Sequence, residues 1–391
     1  IHPLSSRRNP RGCYFGIWFA YPPIKGLSAR PCQIPAAPHR IKQHFEEVSK
    51  GGMSIRMKMK KVISIALCTL LLSAVLLTAG CGKDEGLRAV TLNEVTRSVF
   101  YAPLYCGITL GFFEEEGLNV EIVTGGGSDK SMTALLSGDA DIALMGPETG
   151  VYVTNQGQED HPMIVAQLTK RDGSFLMGRT PEPDFQWENL RGKSIVGGRP
   201  GGMPLMTLLY VLKSHGLTPG VDVEVIDNIQ FPLMGGAFDS GTGDYVTLFE
   251  PTASEFAQLG KGHLLAAVGL ESGEVPYTAF MARQQTIKEE PEFVASFVRA
   301  VYKSQQWVWA ATDEEVAEAM LPFFPDSSVE TLSAVARSYR DADAWTKDPV
   351  MTADAFTRLQ DIIEGAGELT ARIGLGELVD NTFAEAAVAG K

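Results

Sequence analysis

The sequence predicts an α/β protein of two similar lobes, each built on a largely parallel sheet with crossover helices. Three observations carry this. Residues 134–148 (ALLSGDADIALMGPE) are echoed at 237–251 (AFDSGTGDYVTLFEP), with Ala, Ser-Gly and Asp in one register without a gap. IALM and YVTL are continuous apolar runs, the mark of strands covered on both faces. Each copy also runs helix, Ser-Gly stop, buried strand and Pro corner, which is the order of crossover units in a parallel sheet. Copies about a domain's length apart point to two lobes. Ligands of such sheets bind beyond the carboxyl ends of the strands. Gly146-Pro147-Glu148 and Phe249-Glu250-Pro251 therefore mark two mouths that face each other.

Composition supports a folded body with a charged contrast. The 391 residues, 45% hydrophobic and 21% charged, suit two globular domains. Residues 1–80 carry +10, which leaves −23 on the remainder of a chain whose net charge is −13. A body this acidic lacks the basic footprint of a nucleic-acid partner.

Residues 1–52 begin at Ile1, are rich in Pro and Arg, and show no sustained period. They read as a non-native upstream extension or as a disordered one. Residues 53–80 then give a basic stretch (Arg56, Lys58, Lys60, Lys61), an apolar run, and the small residues of Leu77-Thr78-Ala79-Gly80-Cys81. The run is shorter than the about twenty residues of a spanning helix, and it matches a cleaved leader better than an uncleaved anchor. It resembles the lipobox of bacterial lipoproteins. That resemblance implies acylation of Cys81, a tether over 81–87, and attachment to the bacterial cell membrane through lipid.

Residues 88–95 read as the first strand, and 96–101 as the loop at its carboxyl end. A helix over 102–113 follows, with Pro103 in its first turn, where a missing N–H costs nothing. After the 119–123 strand, Gly125-Gly126-Gly127-Ser128 opens a helix over 129–137. Such a turn exposes N–H groups to an anion or is a tight turn only. It is no nucleotide loop, because Asp129 stands where a Walker motif needs Gly. Residues 167–177 read as strand, turn and strand, with the second strand crossing to lobe two near 177–182. Lobe two continues with a strand at 194–196, a second glycine-rich entrance at 197–204, a helix to His215, and strands at 221–226 and 246–249. Strands at 264–268 and 277–282 return the chain to lobe one, with 269–273 near the second crossing. The helix over 290–310 has Phe293, Phe297, Val301 and Trp307 at core spacing. Thr312 with Glu315 forms a capping box, and Thr352 caps 353–365.

By this point YAPLYCGITLGFFEEEGLNVEIV and GGGSDKSMTALLSGDADIALMGPE carry a family likeness. They resemble the substrate-binding proteins of ABC importers, in the group that takes alkanesulfonates, taurine, nitrate and thiamine-pyrimidine precursors. The likeness covers about 89–376. It implies a two-lobe periplasmic binding protein of type II-like topology, a ligand cleft that closes by hinge motion, and C-terminal helices packed on lobe one. The implied organisation is lobe one at 88–180, lobe two at 181–268 and lobe one again at 269–391. The implied partners are a small-molecule ligand and an importer permease with its ATPase. The protein is read as an extracytoplasmic monomer without cofactor or metal.

No enzyme chemistry is legible. His161, His215 and His263 have no spaced metal partner, and no GxSxG elbow is present. Fungal pyrimidine synthases of the same fold need, by the resemblance, a cysteine-rich motif, whereas Cys106 is the one cysteine after Cys81. The ligand-binding candidates are Ser98, Phe100, Tyr101, Gly126, Gly127, Gly146, Pro147, Glu148, Gly201, Gly202, Met203 and Glu250. Phe100 and Tyr101 offer ring faces. Glu148 and Glu250 favour a cation or N–H donor, unless each only stabilises a helix N-terminus. Arg171 and Arg199 pull towards an anion. The reading from these corners is a thiamine-pyrimidine-like heterocycle; a sulfonate, taurine or nitrate binder and a ligand-sensing lipoprotein are the alternatives.

Overall fold

The structure, a computed structural model, describes residues 86–158 and 160–391. The upstream extension, the leader, Cys81 and all but the end of the tether lie outside the described residues. Ten strands form in chain order: β1 (Arg88–Glu94), β2 (Leu118–Thr124), β3 (Ile142–Met145), β4 (Met163–Thr169), β5 (Ser174–Gly178), β6 (Ser194–Val196), β7 (Glu224–Ile226), β8 (Tyr245–Phe249), β9 (His263–Ala267) and β10 (Thr278–Ala282). They build two five-stranded sheets, ordered β2-β1-β3-β10-β4 and β7-β6-β8-β5-β9.

The two sheets share one plan. In each, three parallel strands are followed by a reversed strand that the other half of the molecule sends across. The reversed strands are β10 in the first sheet and β5 in the second. The two echoed strands, β3 and β8, hold the same central place. Their preceding aspartates also do the same work. Asp141 Oδ2 accepts the Thr91 amide at 2.8 Å, and Asp244 Oδ2 accepts the Ser194 amide at 2.9 Å. Each aspartate's own amide returns a bond to the same residue's carbonyl. Gly138 and Gly241, at φ 82° and 101°, supply the left-handed residue between helix and strand.

The topology corrects where the chain changes sheet. Strand β5 lies in the second sheet, so the first passage runs over 170–173 and not near 177–182. Strand β9 still belongs to the second sheet, and the return runs over 268–277, around the expected 269–273. Local pattern marks β5 only as a buried run; its antiparallel pairing with β8 and β9 decides its sheet. The helix read over 102–113 is broken by Gly111 at φ 76° into Ala102–Thr109 and Phe112–Glu115.

The C-terminal helices divide their contacts. Helix Pro291–Ala310 buries Phe293, Phe297 and Val301 and packs on Ala102–Thr109 and Thr382–Val388 in the first half, with the Phe297 ring against Phe113 and Phe280. Trp307 is only half-buried. Helix Ala353–Gly365 also packs on Met203–Ser214 of the second half, where Lys213 Nζ donates to the Gly365 carbonyl. It therefore touches both halves, where the sequence reading places it on lobe one alone. Both expected caps form: Thr312 with Glu315, and Thr352 on the Ala355 amide.

Because Asp141 and Asp244 make equivalent charge-assisted bonds far apart, Asp141→Ala and Asp244→Ala should each cost about 1–2 kcal/mol. The double variant should lose roughly the sum. Urea unfolding of the three variants checks this, and a double variant no less stable than either single one would refute the equivalence.

Candidate functional site

The carboxyl ends of the two sheets face a cavity of about 410 Å³. Its walls come from both halves. The first half contributes Ser98, Phe100 and Tyr101 after β1, Gly126 to Asp129 after β2, and Gly146, Glu148 and Tyr152 after β3. The second half contributes 198–204 after β6, Gln230 to Pro232 after β7, and Phe249 at the end of β8. Ten of the twelve candidate residues line it; Pro147 and Glu250 do not.

Ser98 opens a tight 3-10 turn, Val99–Tyr101, by accepting the Phe100 amide at 3.3 Å. Its hydroxyl also reaches across to the Glu250 carbonyl at 3.3 Å. The turn places Phe100 at the centre of an aromatic cluster. Phe249 and Tyr277 meet its ring edge-on at 5.7 Å, and Tyr339 packs at 5.1 Å. Trp345 Nε1 fixes the turn from behind through the Phe100 carbonyl at 2.9 Å. The sequence reading places Phe249 at a mouth without giving it a role, and misses Tyr152, Phe231, Tyr277, Tyr339 and Trp345. A role for Phe249 was within its reach, since it stands beside Glu250 in the echo; Tyr339 and Trp345 arrive from the far C-terminal region with no local signal.

Two buried carboxylates of the first half have opposite fates. Glu94 is satisfied by the Tyr105 hydroxyl at 2.6 Å, Thr124 Oγ1 at 2.8 Å and Arg97 Nε at 3.0 Å. Glu148 is equally buried, yet its Oε2 has no partner. Burial pushes its pKa up to about 8, offset only in part by its own backbone. Its neighbours are Tyr101, Tyr152 and Tyr277, and no Lys or Arg pairs with it among the described residues. Gly146 is needed beside it, because a Cβ there would lie 2.0 Å from Oε2.

Glu250 is a correction. Its carboxylate accepts the Ser254 amide and the Ser254 hydroxyl, both at 2.8 Å, and so serves the N-terminus of helix Thr252–Gln258. The reason is a single residue of strand length. Strand β8 runs one residue further than β3 relative to the echo, so Glu250 falls before the capping Pro251, whereas Glu148 follows the capping Pro147. Pro147 itself lies buried behind Glu148, its carbonyl accepting the Gly150 amide at 3.0 Å.

Of the two arginines, Arg171 turns away to Asp343 at 3.2 Å. Arg199 stands at the cavity rim, half exposed, 4.0 Å from Asp129 across the gap between the halves. Cys106 is buried outside the cavity, and burial raises its thiol pKa. Among the described residues no group of three His, Cys, Asp or Glu could hold a metal.

Residues 99–315 match the family model described as NMT1/THI5 like. The chain belongs to the NMT1/THI5-like family. The Bacillus subtilis protein YtlA is 43% identical over 307 residues, covering 78% of this chain and 92% of YtlA. The formylaminopyrimidine-binding protein of Halalkalibacterium halodurans is 24% identical over 344 residues, covering 78% of this chain and all of that one. Among solved structures, the alkanesulfonate-binding protein SsuA of Xanthomonas axonopodis pv. citri superposes with a TM-score of 0.61 at 15% identity, over 75% of this chain and 98% of that one. The fold of this NMT1/THI5-like protein is that of periplasmic binding proteins, as the sequence likeness implies.

Glu148 has a consequence for stability. An unfolded glutamate loses its proton near pH 4.5, whereas the folded one keeps it to about 8. Between those values the folded state binds more protons, so stability is highest below 4.5 and falls as pH rises towards 8. Glu148→Gln removes that slope. At pH 7 the variant should be more stable than wild type by on the order of 2–3 kcal/mol, and the two should converge near pH 4.5. Thermal unfolding from pH 5 to 8 measures this; parallel curves would contradict it.

Proposed function

We propose that this protein is an extracytoplasmic solute-binding protein, anchored through lipid on Cys81, that captures an aminopyrimidine-like heterocycle between its halves. It hands that ligand to an ABC importer permease and its ATPase, as a carrier and without catalysis. The observation that carries the reading is Glu148, a buried carboxyl group with one oxygen unpartnered in an aromatic cavity. A native group left in that state is answered by what binds there. An aminopyrimidine presents a ring nitrogen and an exocyclic N–H side by side. The protonated acid donates to the first and accepts from the second, and the rings of Phe100 and Tyr101 pack against the heterocycle. The relative from H. halodurans is a formylaminopyrimidine-binding protein, in keeping with this chemistry.

Arg199 and the likeness to SsuA favour a sulfonate instead. Against that reading, Asp129 already faces Arg199, which is the one cation among the residues lining the cavity.

The deciding measurement is calorimetry with an N-formylated aminopyrimidine and with taurine. Wild type should bind the first and ignore the second. Glu148→Leu, which removes both donor and acceptor, should weaken binding by about five- to a hundredfold, the range of two neutral hydrogen bonds, whereas Glu148→Gln keeps a donor and an acceptor and should bind nearly as well. Tight taurine binding with indifference to the pyrimidine would overturn the ligand assignment. The anchor has its own test. Labelled palmitate should enter wild type but not Cys81→Ala, and label in the alanine variant would refute lipidation at Cys81.

A further inference from the structure

A second unsatisfied polar cluster lies where the two halves join. Asp172 sits in the first passage, 1% exposed. Its Oδ1 is occupied by the Ser174 amide at 2.7 Å and the Ser174 hydroxyl at 2.5 Å. Its Oδ2 has no partner. The adjoining cations do not supply one, because Lys170 and Arg171 both pair with Asp343. Two hydroxyls lie within electrostatic reach of the Asp172 carboxylate: Tyr277 at the end of the second passage and Thr207 on helix Met203–Ser214. Both are buried and neither closes a hydrogen bond of proper geometry. Burial raises the Asp172 pKa to about 6.

The cluster is joined to the cavity by packing. The Tyr277 ring is part of the cavity wall and meets Phe100 and Phe249. Gly173 presses on Phe100 so closely that a Cβ would come within 2.6 Å of its ring. Thr207 belongs to the helix whose glycine-rich entrance forms the opposite wall. One buried carboxylate is thus neighboured by a hydroxyl from each half, beside the cavity lining.

We propose that Asp172 is a positioning residue for ligand capture: its free oxygen takes the Tyr277 hydroxyl from one half and the Thr207 hydroxyl from the other as the halves settle on a ligand. This fixes the Tyr277 ring as a wall and links cavity occupancy to the relation of the halves. It rests on the reading that the cavity holds a ligand, though not on the role of Glu148. Three buried groups that are each costly alone become mutually satisfied.

The test is a double-mutant cycle in the full chain, with the N-formylated aminopyrimidine as probe. Asp172→Asn and Tyr277→Phe should each weaken binding by about tenfold, and the double variant should be no weaker than about the worse single one. Thr207→Val should weaken binding and Thr207→Ser restore it, which separates the hydroxyl from mere packing. Multiplying effects, or a serine variant as weak as the valine one, would overturn the proposal. If Asp172→Asn does not fold, the Tyr277→Phe and Thr207→Val pair carries the cycle. If wild type ignores the probe, the pyrimidine reading falls by itself. The same cycle is then run with taurine as the probe, where multiplying effects, or no binding at all, would overturn the proposal and shared effects support it.

Discussion

A side chain at position 269 has nowhere to go, because its Cβ would fall 2.2 Å from the carbonyl oxygen of Asp172. Here the two passages between the sheets press against each other. They are further tied by the Val275 amide on the Lys170 carbonyl at 2.9 Å and the Tyr277 amide on the Thr169 carbonyl at 3.2 Å. The crossing sets how each half donates a reversed strand to the other's sheet. It also brings the carboxyl ends of both sheets to one cavity. The aromatic cluster around Phe100 is packed on this crossing, so the cavity wall and the junction are one piece of structure.

Much of the fold was legible because its signals are local. The Ser-Gly stops, the aspartates and the buried strands of the echo each act within a few residues, and the structure puts β3 and β8 in equivalent places. The first passage was misplaced because Ser174–Gly178 has no local mark of which sheet it joins. That choice is made by pairing with β8 and β9, far along the chain. Helix Ala353–Gly365 escaped for the same reason: its amphipathic pattern shows that it packs, not on what.

The site divides similarly. Residues at strand ends and glycine-rich helix entrances were found, since topology alone sends them to the cavity. Glu148 and Glu250 looked alike because the echo was read to its final corner, where one extra residue in β8 breaks the correspondence. A carboxylate before the capping residue reaches back to the helix's free amides, and one just after it is left to the cavity. The aromatic residues from the C-terminal region could not be read from sequence, since Tyr339 and Trp345 reach Phe100 only through tertiary packing.

Gly146 ties the chemistry of the cavity to its shape. The neighbouring carboxylate occupies the space that any β-carbon at this position would claim. Gaining a side chain here would expel or redirect Glu148 at a stroke, without altering the strand that precedes it or the helix that follows. Position 146 therefore sets, through one carbon, whether the Glu148 carboxyl group faces the cavity. A change in the chemistry of this wall needs no change of scaffold, only the arrival of a single carbon.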